Sequence, residues 1–113
     1  MRRDRERLED ILAAIAAIER YVQQGRQAFD EQELIQVWVA YHLQMLGEAA
    51  NSLSADLRAQ HPEIPWVQIV GLRNLLVHEY FRVDPQILWD ITQSDLQPLK
   101  IAIQTIQQEL EDP

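Results

Sequence analysis

Nearly every apolar residue in this chain recurs with a period close to 3.6, and that pattern confines it to helices. Leu8, Ile11, Leu12, Ile15, Ile18 and Val22 follow the i, i+3, i+4, i+7 rule and predict a first helix over about 4–24, with Gly25 as its stop. A second helix is expected to start at Asp30, where Glu33 three residues on gives capping-box spacing, and to carry the stripe Leu34, Trp38, Tyr41, Met45 and Ala49. Its Gly47-Glu48-Ala49-Ala50 run is small enough to let another helix approach closely. A short helix follows from Ser54 to Gln60. His61-Pro62-Glu63-Ile64-Pro65 is the main break, because each proline biases its predecessor to extended backbone. The next helix opens at Pro65 or Trp66, where a missing N–H costs nothing, and runs to about Tyr80. Asp84-Pro85 repeats the start signal for a short helix to about Thr92. Ser94 with Gln97 caps the last helix, about 95–111, whose stripe is Leu99, Ile103, Ile106 and Leu110; Pro98 is tolerated in its first turn. The expected fold is all-α: an up-and-down bundle of about five helices with short connections, in one domain over 1–113.

Composition removes several functions. None of the 113 residues is cysteine, which excludes disulfides, Cys-based zinc sites and thiol nucleophiles. His42, His61 and His78 are far apart, with no metal-ligand spacing around them, so neither a metal nor a cofactor is expected. No apolar run approaches the ~20 residues of a membrane span. The start of the chain lacks the apolar core of a signal peptide, so the expected location is cytoplasmic. The net charge is -8. Arg2, Arg3, Arg5 and Arg7 are four of the ten basic residues, leaving six against sixteen acidic residues from residue 8 onward. A general nucleic-acid coat needs the opposite sign, so work on RNA must come from a local basic site.

One segment does not read as core plus solvated face: Gly71-Leu72-Arg73-Asn74-Leu75-Leu76-Val77-His78-Glu79-Tyr80-Phe81. It sets Arg73, Asn74, His78 and Tyr80 among leucines and valine, where polar groups are costly unless paired or exposed to a cleft. At ~100° per residue Asn74 and His78 lie one turn apart, and Arg73 and Tyr80 nearly eclipse each other. Arg73 and His78 are about 140° apart, awkward for one site on a straight helix. Either the helix loosens at His78, or two copies pack across a two-fold and each cleft gathers polar groups from both. The second is favoured, since an isologous interface buries a costly polar stripe.

These residue types suit phosphate chemistry. Arginine presents a planar fork of donors to phosphate oxygens. Histidine gives or takes a proton. Asparagine orients the imidazole or donates to a phosphate, and tyrosine stacks on a base or holds a phosphate oxygen. In RNA the ribose 2′-hydroxyl attacks the neighbouring phosphorus, leaving a cyclic phosphate and a free 5′-hydroxyl. That reaction needs proton transfer and charge stabilisation, with no protein nucleophile and no metal.

Arg73-Asn74-Leu75-Leu76-Val77-His78-Glu79-Tyr80 resembles the Arg-x4-His-x-Tyr signature of HEPN domains (higher eukaryotes and prokaryotes nucleotide-binding). More narrowly, the chain is similar to the HepT family, the toxin half of HepT/MntA toxin–antitoxin systems. Gly47-Glu48-Ala49-Ala50, Ile64-Pro65-Trp66 with Ile69 and Gly71, and Val83-Asp84 extend the likeness over essentially the whole chain. The resemblance implies an all-α HEPN-like homodimer with the motif lining an interface cleft. It implies a metal-independent endoribonuclease with RNA as substrate and neither DNA nor membrane as partner. Its antitoxin would be an MntA-like nucleotidyltransferase that adds AMP to the motif tyrosine. Carried over, Arg73 and His78 are catalytic, Asn74 is a supporting polar residue of the same site, and Tyr80 is the modification site. An added AMP brings bulk and negative charge beside Arg73, where the RNA phosphate must sit.

Other readings stand beside this one. The same dimer could be a non-catalytic nucleotide-binding or substrate-presenting partner of the nucleotidyltransferase, or a plain helical scaffold. Trp38, Trp66 and Trp89 read as core or interface anchors, His42 as a helix-face residue and His61 as an exposed loop residue. Glu48 is either solvated or paired with Arg73 from the facing helix. The early arginines, alternating with Asp4, Glu6 and Glu9, read as a solvated helix end.

Overall fold

The computed structural model describes residues 2–111, and the chain is helical there, with no strand among the described residues. In chain order the helices are α1 (Arg2–Val22), α2 (Arg26–Glu31), α3 (Glu33–Asn51), α4 (Ala55–Gln60), α5 (Trp66–Glu79), α6 (Pro85–Ser94) and α7 (Leu96–Glu111); one 3-10 turn, Tyr80–Arg82, lies between α5 and α6. These seven exceed the expected five or so; the short helices α4 and α6 stand where the sequence puts them, and the helix it did not place is α2, residues 26–31.

The first of these helices forms where the periodicity puts it. Leu8, Ile11, Ile15 and Ile18 of α1 have no accessible surface. Each fully buried aliphatic side chain contributes about 1.5–3 kcal/mol through the water it sheds. Ile103 and Ile106 of α7 join the same core, with Leu99 and Leu110 half-buried beside it. The centre of the bundle is α3, which packs against α1 on one side and α5 on another, while α7 lies along α1.

On α3 the buried face differs from the predicted stripe. Ile35, Val39, Leu43, Leu46 and Ala50 are buried, whereas Leu34 is 83% and Tyr41 54% exposed. Ala49 is buried as expected, and Trp38 and Met45 are half-buried. A helix that serves two neighbours is apolar over a wide arc, and its period alone does not choose the phase.

The ends of the helices follow local chemistry. Gly25 takes φ +100, a left-handed backbone that favours glycine, and its carbonyl accepts from Phe29 N–H at 3.2 Å to begin α2. Ser54 caps α4 by accepting from Leu57 N–H at 3.2 Å, and Asp84 caps α6 by accepting from Gln86 N–H at 2.9 Å. Two predicted capping boxes do not form. Asp30 lies in α2, where Arg26 Nε donates to it at 2.9 Å, and α3 begins instead after the extended Gln32. At the last helix Asp95 takes the cap position, since its carbonyl accepts from Leu99 N–H at 3.2 Å, while Ser94 ends α6.

The tryptophans are anchors. Trp66 is buried and donates its indole N–H to His61 O at 3.0 Å; Trp38 donates to Ala17 O at 2.7 Å; Trp89 tilts against Phe29 at 5.2 Å between ring centroids. Two placements read from the sequence need correction. Asp4 is buried rather than part of a solvated end, because it meets Ser54. His61 has only 17% of its side chain exposed, lying 3.3 Å from Glu63 and 3.7 Å from Glu109. Arg3 and Arg5 are exposed as expected, Arg7 is half-buried beside Asp10, and the side chain of Arg2 lies outside the described residues. Among the described residues no helix is long and apolar enough to cross a membrane.

Candidate active site

Arg73, Asn74 and His78 share α5, with Tyr80 just beyond its end, and the sequence before α5 sets where that helix begins. Ile64 and Trp66 are buried, Pro65 precedes the first turn, and Ile69 N–H donates to Pro65 O at 3.1 Å. The helix then lies against α3 through Leu76 and the half-buried Ile69 and Leu72. The approach is closest at Gly47. A Cβ added there would overlap Arg73 Cβ and stand 3.0 Å from Arg73 Cγ and 3.2 Å from Ile69 O. The small run on α3 therefore does what its composition promised: it admits the stem of Arg73.

The head of Arg73 is held as well. Its Nε donates to Glu48 Oε1 at 3.2 Å, its Nη2 bonds the same oxygen, and its Nη1 donates to Asn74 Oδ1 at 2.9 Å. Of the two alternatives open for Glu48, the structure takes the ion pair. The Arg73 side chain retains 29% of its exposure, so the guanidinium is gripped without being sealed away. Glu48 also lines a cleft of about 430 Å³ between α1 and α3, together with Arg7, Asp10, His42 and Ser52.

His78 sits in the last turn of α5 and is exposed; among the described residues no hydrogen bond or ion pair engages its imidazole. The helix breaks one residue later, at Glu79 (φ −141, ψ 38), and continues as the 3-10 turn that begins with Tyr80. Tyr80 is half-buried, with its ring 5.9 Å from that of Phe81, and Phe81 is 99% exposed. The near-eclipse of Arg73 and Tyr80 expected for a straight helix is thus lost, because Tyr80 has left the α-helical path. The loosening comes too late to change the relation of Arg73 to His78. Both remain in α5, five residues apart and about 140° around its axis. The structure therefore brings Arg73, Asn74 and Glu48 together and leaves His78 and Tyr80 outside that cluster.

His42 is half-buried, stacked on Trp38 at 4.3 Å between centroids, with its Nδ1 buried and unpartnered among the described residues. Burial lowers its pKa from the ordinary value of 6.5. No group of three or more His, Asp or Glu among the described residues is placed to hold a metal ion.

Over the described residues this is an all-helical protein whose central pair of helices presents an anchored guanidinium beside Asn, with an unengaged imidazole further along the same helix, residue types that suit phosphate chemistry. The comparison with known proteins narrows this. The chain belongs to the HepT-like ribonuclease family, whose profile matches residues 11–106. It is 34% identical over 102 residues to the probable ribonuclease HepT of Thermococcus cleftensis, covering 88% of this chain and 91% of that one. It is 35% identical over 78 residues to a candidate RNase of Methanocaldococcus jannaschii, covering 69% of this chain and 72% of that one. No solved structure matches the chain.

Proposed function

We propose that this chain is a metal-independent endoribonuclease toxin of a type VII, HepT/MntA-like toxin–antitoxin system, folded as one HEPN-like domain and acting in the cytoplasm. The observation that carries the reading is the state of Arg73: a cation anchored on α3, still open to solvent, in a chain of the HepT-like ribonuclease family. Arg73 binds the scissile phosphate and stabilises the charge that builds on it. His78 transfers the proton as the 2′-oxygen attacks phosphorus and the bond to the 5′-oxygen breaks, leaving a 2′,3′-cyclic phosphate and a 5′-hydroxyl. Asn74 steadies Arg73, as its bond to Nη1 supports. Because α5 keeps Arg73 and His78 on different sides, the active unit is a homodimer in which each cleft draws on both copies. The exposed Leu75, Val77 and Phe81 around His78 supply apolar surface for such an interface.

Tyr80 is the site at which an MntA-like nucleotidyltransferase adds AMP, silencing the toxin by placing a phosphate and a nucleoside where RNA must enter. The test is RNA cleavage by purified protein. Arg73→Ala and His78→Ala are expected to abolish it with helical content unchanged, and wild-type cleavage is expected to persist in EDTA. Cleavage that vanishes with chelator and returns with magnesium overturns the mechanism.

A further inference from the structure

Gly47 and Glu48, adjacent on α3, touch the two ends of one side chain. Gly47 gives up the space that the Arg73 stem occupies, and Glu48 takes the guanidinium. Arginine offers five N–H groups in a fixed plane. Glu48 Oε1 accepts from Nε and from Nη2, and Asn74 Oδ1 accepts from Nη1. One N–H then remains on each terminal nitrogen, and both are donors for phosphate oxygens. The long side chain would otherwise move among many rotamers; here its stem is wedged by Gly47 and its head is held by Glu48 and Asn74. The carboxylate also offsets the charge of Arg73, which weakens its pull on any polyanion.

We infer that Glu48 is the positioning residue for Arg73 in phosphodiester cleavage: its carboxylate fixes the guanidinium so that the remaining fork meets the RNA phosphate, and it does so at the expense of RNA affinity. This rests on the ribonuclease reading above. The role separates orientation from charge. Glu48→Ala removes both, whereas Glu48→Gln keeps an acceptor oxygen and removes only the charge.

The experiment measures kcat and KM for an RNA oligonucleotide with the full chain, alongside the exchange of the Arg73 Nε–H by NMR. Glu48→Ala is expected to lower kcat roughly 10- to 100-fold, the scale set by a misplaced catalytic group. Glu48→Gln is expected to restore kcat to within about threefold of wild type while lowering KM, since less negative charge faces the RNA. A residue with only a structural role moves neither parameter in that split. The Arg73 Nε–H is expected to be protected in wild type and Glu48→Gln, and fast-exchanging in Glu48→Ala. Wild-type kcat in Glu48→Ala overturns the inference. So does a Glu48→Gln enzyme as slow as Glu48→Ala, which would make the carboxylate a proton-transfer group. A wild-type protein that leaves RNA intact while the exchange pattern follows Glu48 overturns the ribonuclease reading and not the grip.

Discussion

The carboxylate of Asp4, 5% exposed near the start of α1, accepts the backbone N–H of Ser54 at 2.8 Å and its hydroxyl at 2.7 Å. Ser54 in turn caps α4. One short chain of hydrogen bonds therefore ties the first helix to the entry of the fourth across fifty residues of sequence. Removing Asp4 leaves the half-buried N–H and hydroxyl of Ser54 without their partner, which costs about 1–3 kcal/mol. Asp4→Ala is expected to lower the unfolding free energy read from urea titration by that amount. Ser54→Ala is expected to cost about 1–2 kcal/mol, since the cap goes too. The double variant should lose less than the sum of the two, because each single change already breaks the shared bonds.

What the sequence reveals and what it hides divide along the range of the interaction. The α1 stripe from Leu8 to Ile18, the α7 pair Ile103 and Ile106, and the caps at Ser54 and Asp84 all depend on residues a few positions apart. Each is legible. Asp4 is not, because its partner lies far along the chain, and its neighbours Arg3 and Arg5 are on the surface. Leu34 and Tyr41 mislead for another reason: α3 is apolar on more than one side, and the choice of face belongs to α1 and α5. At the candidate site the residue types on α5 are legible as chemistry. That Glu48 is the one carboxylate gripping Arg73 among the described residues requires the pairing of two helices, for which the small Gly47 beside it is the only local hint.

Two helical glycines are expected to respond in opposite ways to the same change. Gly47→Ala drives a methyl into Arg73 and the Ile69 carbonyl, and neither backbone nor stem can yield without parting α3 from α5. Overpacking of this kind costs about 1–3 kcal/mol, and RNA cleavage should fall further than stability does, because Arg73 moves. Gly71 has nothing within 4 Å of an added Cβ. Gly71→Ala is expected to stabilise the chain by about 0.5–1 kcal/mol through helix propensity alone. Thermal melts of both variants check this. A loss of stability at Gly71 would instead place a second helix against it.

Burial holds the His42 pKa below its usual 6.5, so the imidazole binds a proton more readily in the unfolded chain than in the folded one. Stability from this group is complete above about pH 6.5 and is lost as pH falls toward the lowered folded value. Urea midpoints should therefore drop between pH 7 and pH 5 by more in wild type than in His42→Gln, which cannot titrate. Parallel curves for the two proteins would show that the stacked ring on Trp38 titrates alike in both states.

Adenylylation at Tyr80 is checked by intact mass of the chain made with and without a neighbouring nucleotidyltransferase. Added AMP units are expected only with it, and Tyr80→Phe is expected to abolish them. Phenylalanine retains the ring that packs on the core and beside Phe81, so the variant should keep the wild-type melting temperature and its cleavage of RNA. Unmodified wild-type protein in the presence of an active transferase would remove Tyr80 from the regulatory reading while leaving cleavage untouched.

A cleft shared between two copies, as proposed above, predicts an outcome that no arrangement within one chain shares. Arg73→Ala and His78→Ala are each expected to be inactive alone. Mixed under conditions that exchange subunits, half of the dimers carry one copy of each. If a cleft takes its arginine from one copy and its histidine from the other, one of the two clefts in such a dimer holds both intact residues. The mixture should then regain roughly one quarter of wild-type activity. If both residues served within one chain, every cleft in the mixture would lack one of them and activity would stay at zero. The 140° between the two side chains on an unbroken stretch of α5 is the reason to expect recovery. A third variant sharpens it. Phe81→Asp, at a ring 99% exposed beside the site, should leave a folded chain that neither dimerises by light scattering nor joins in the recovery.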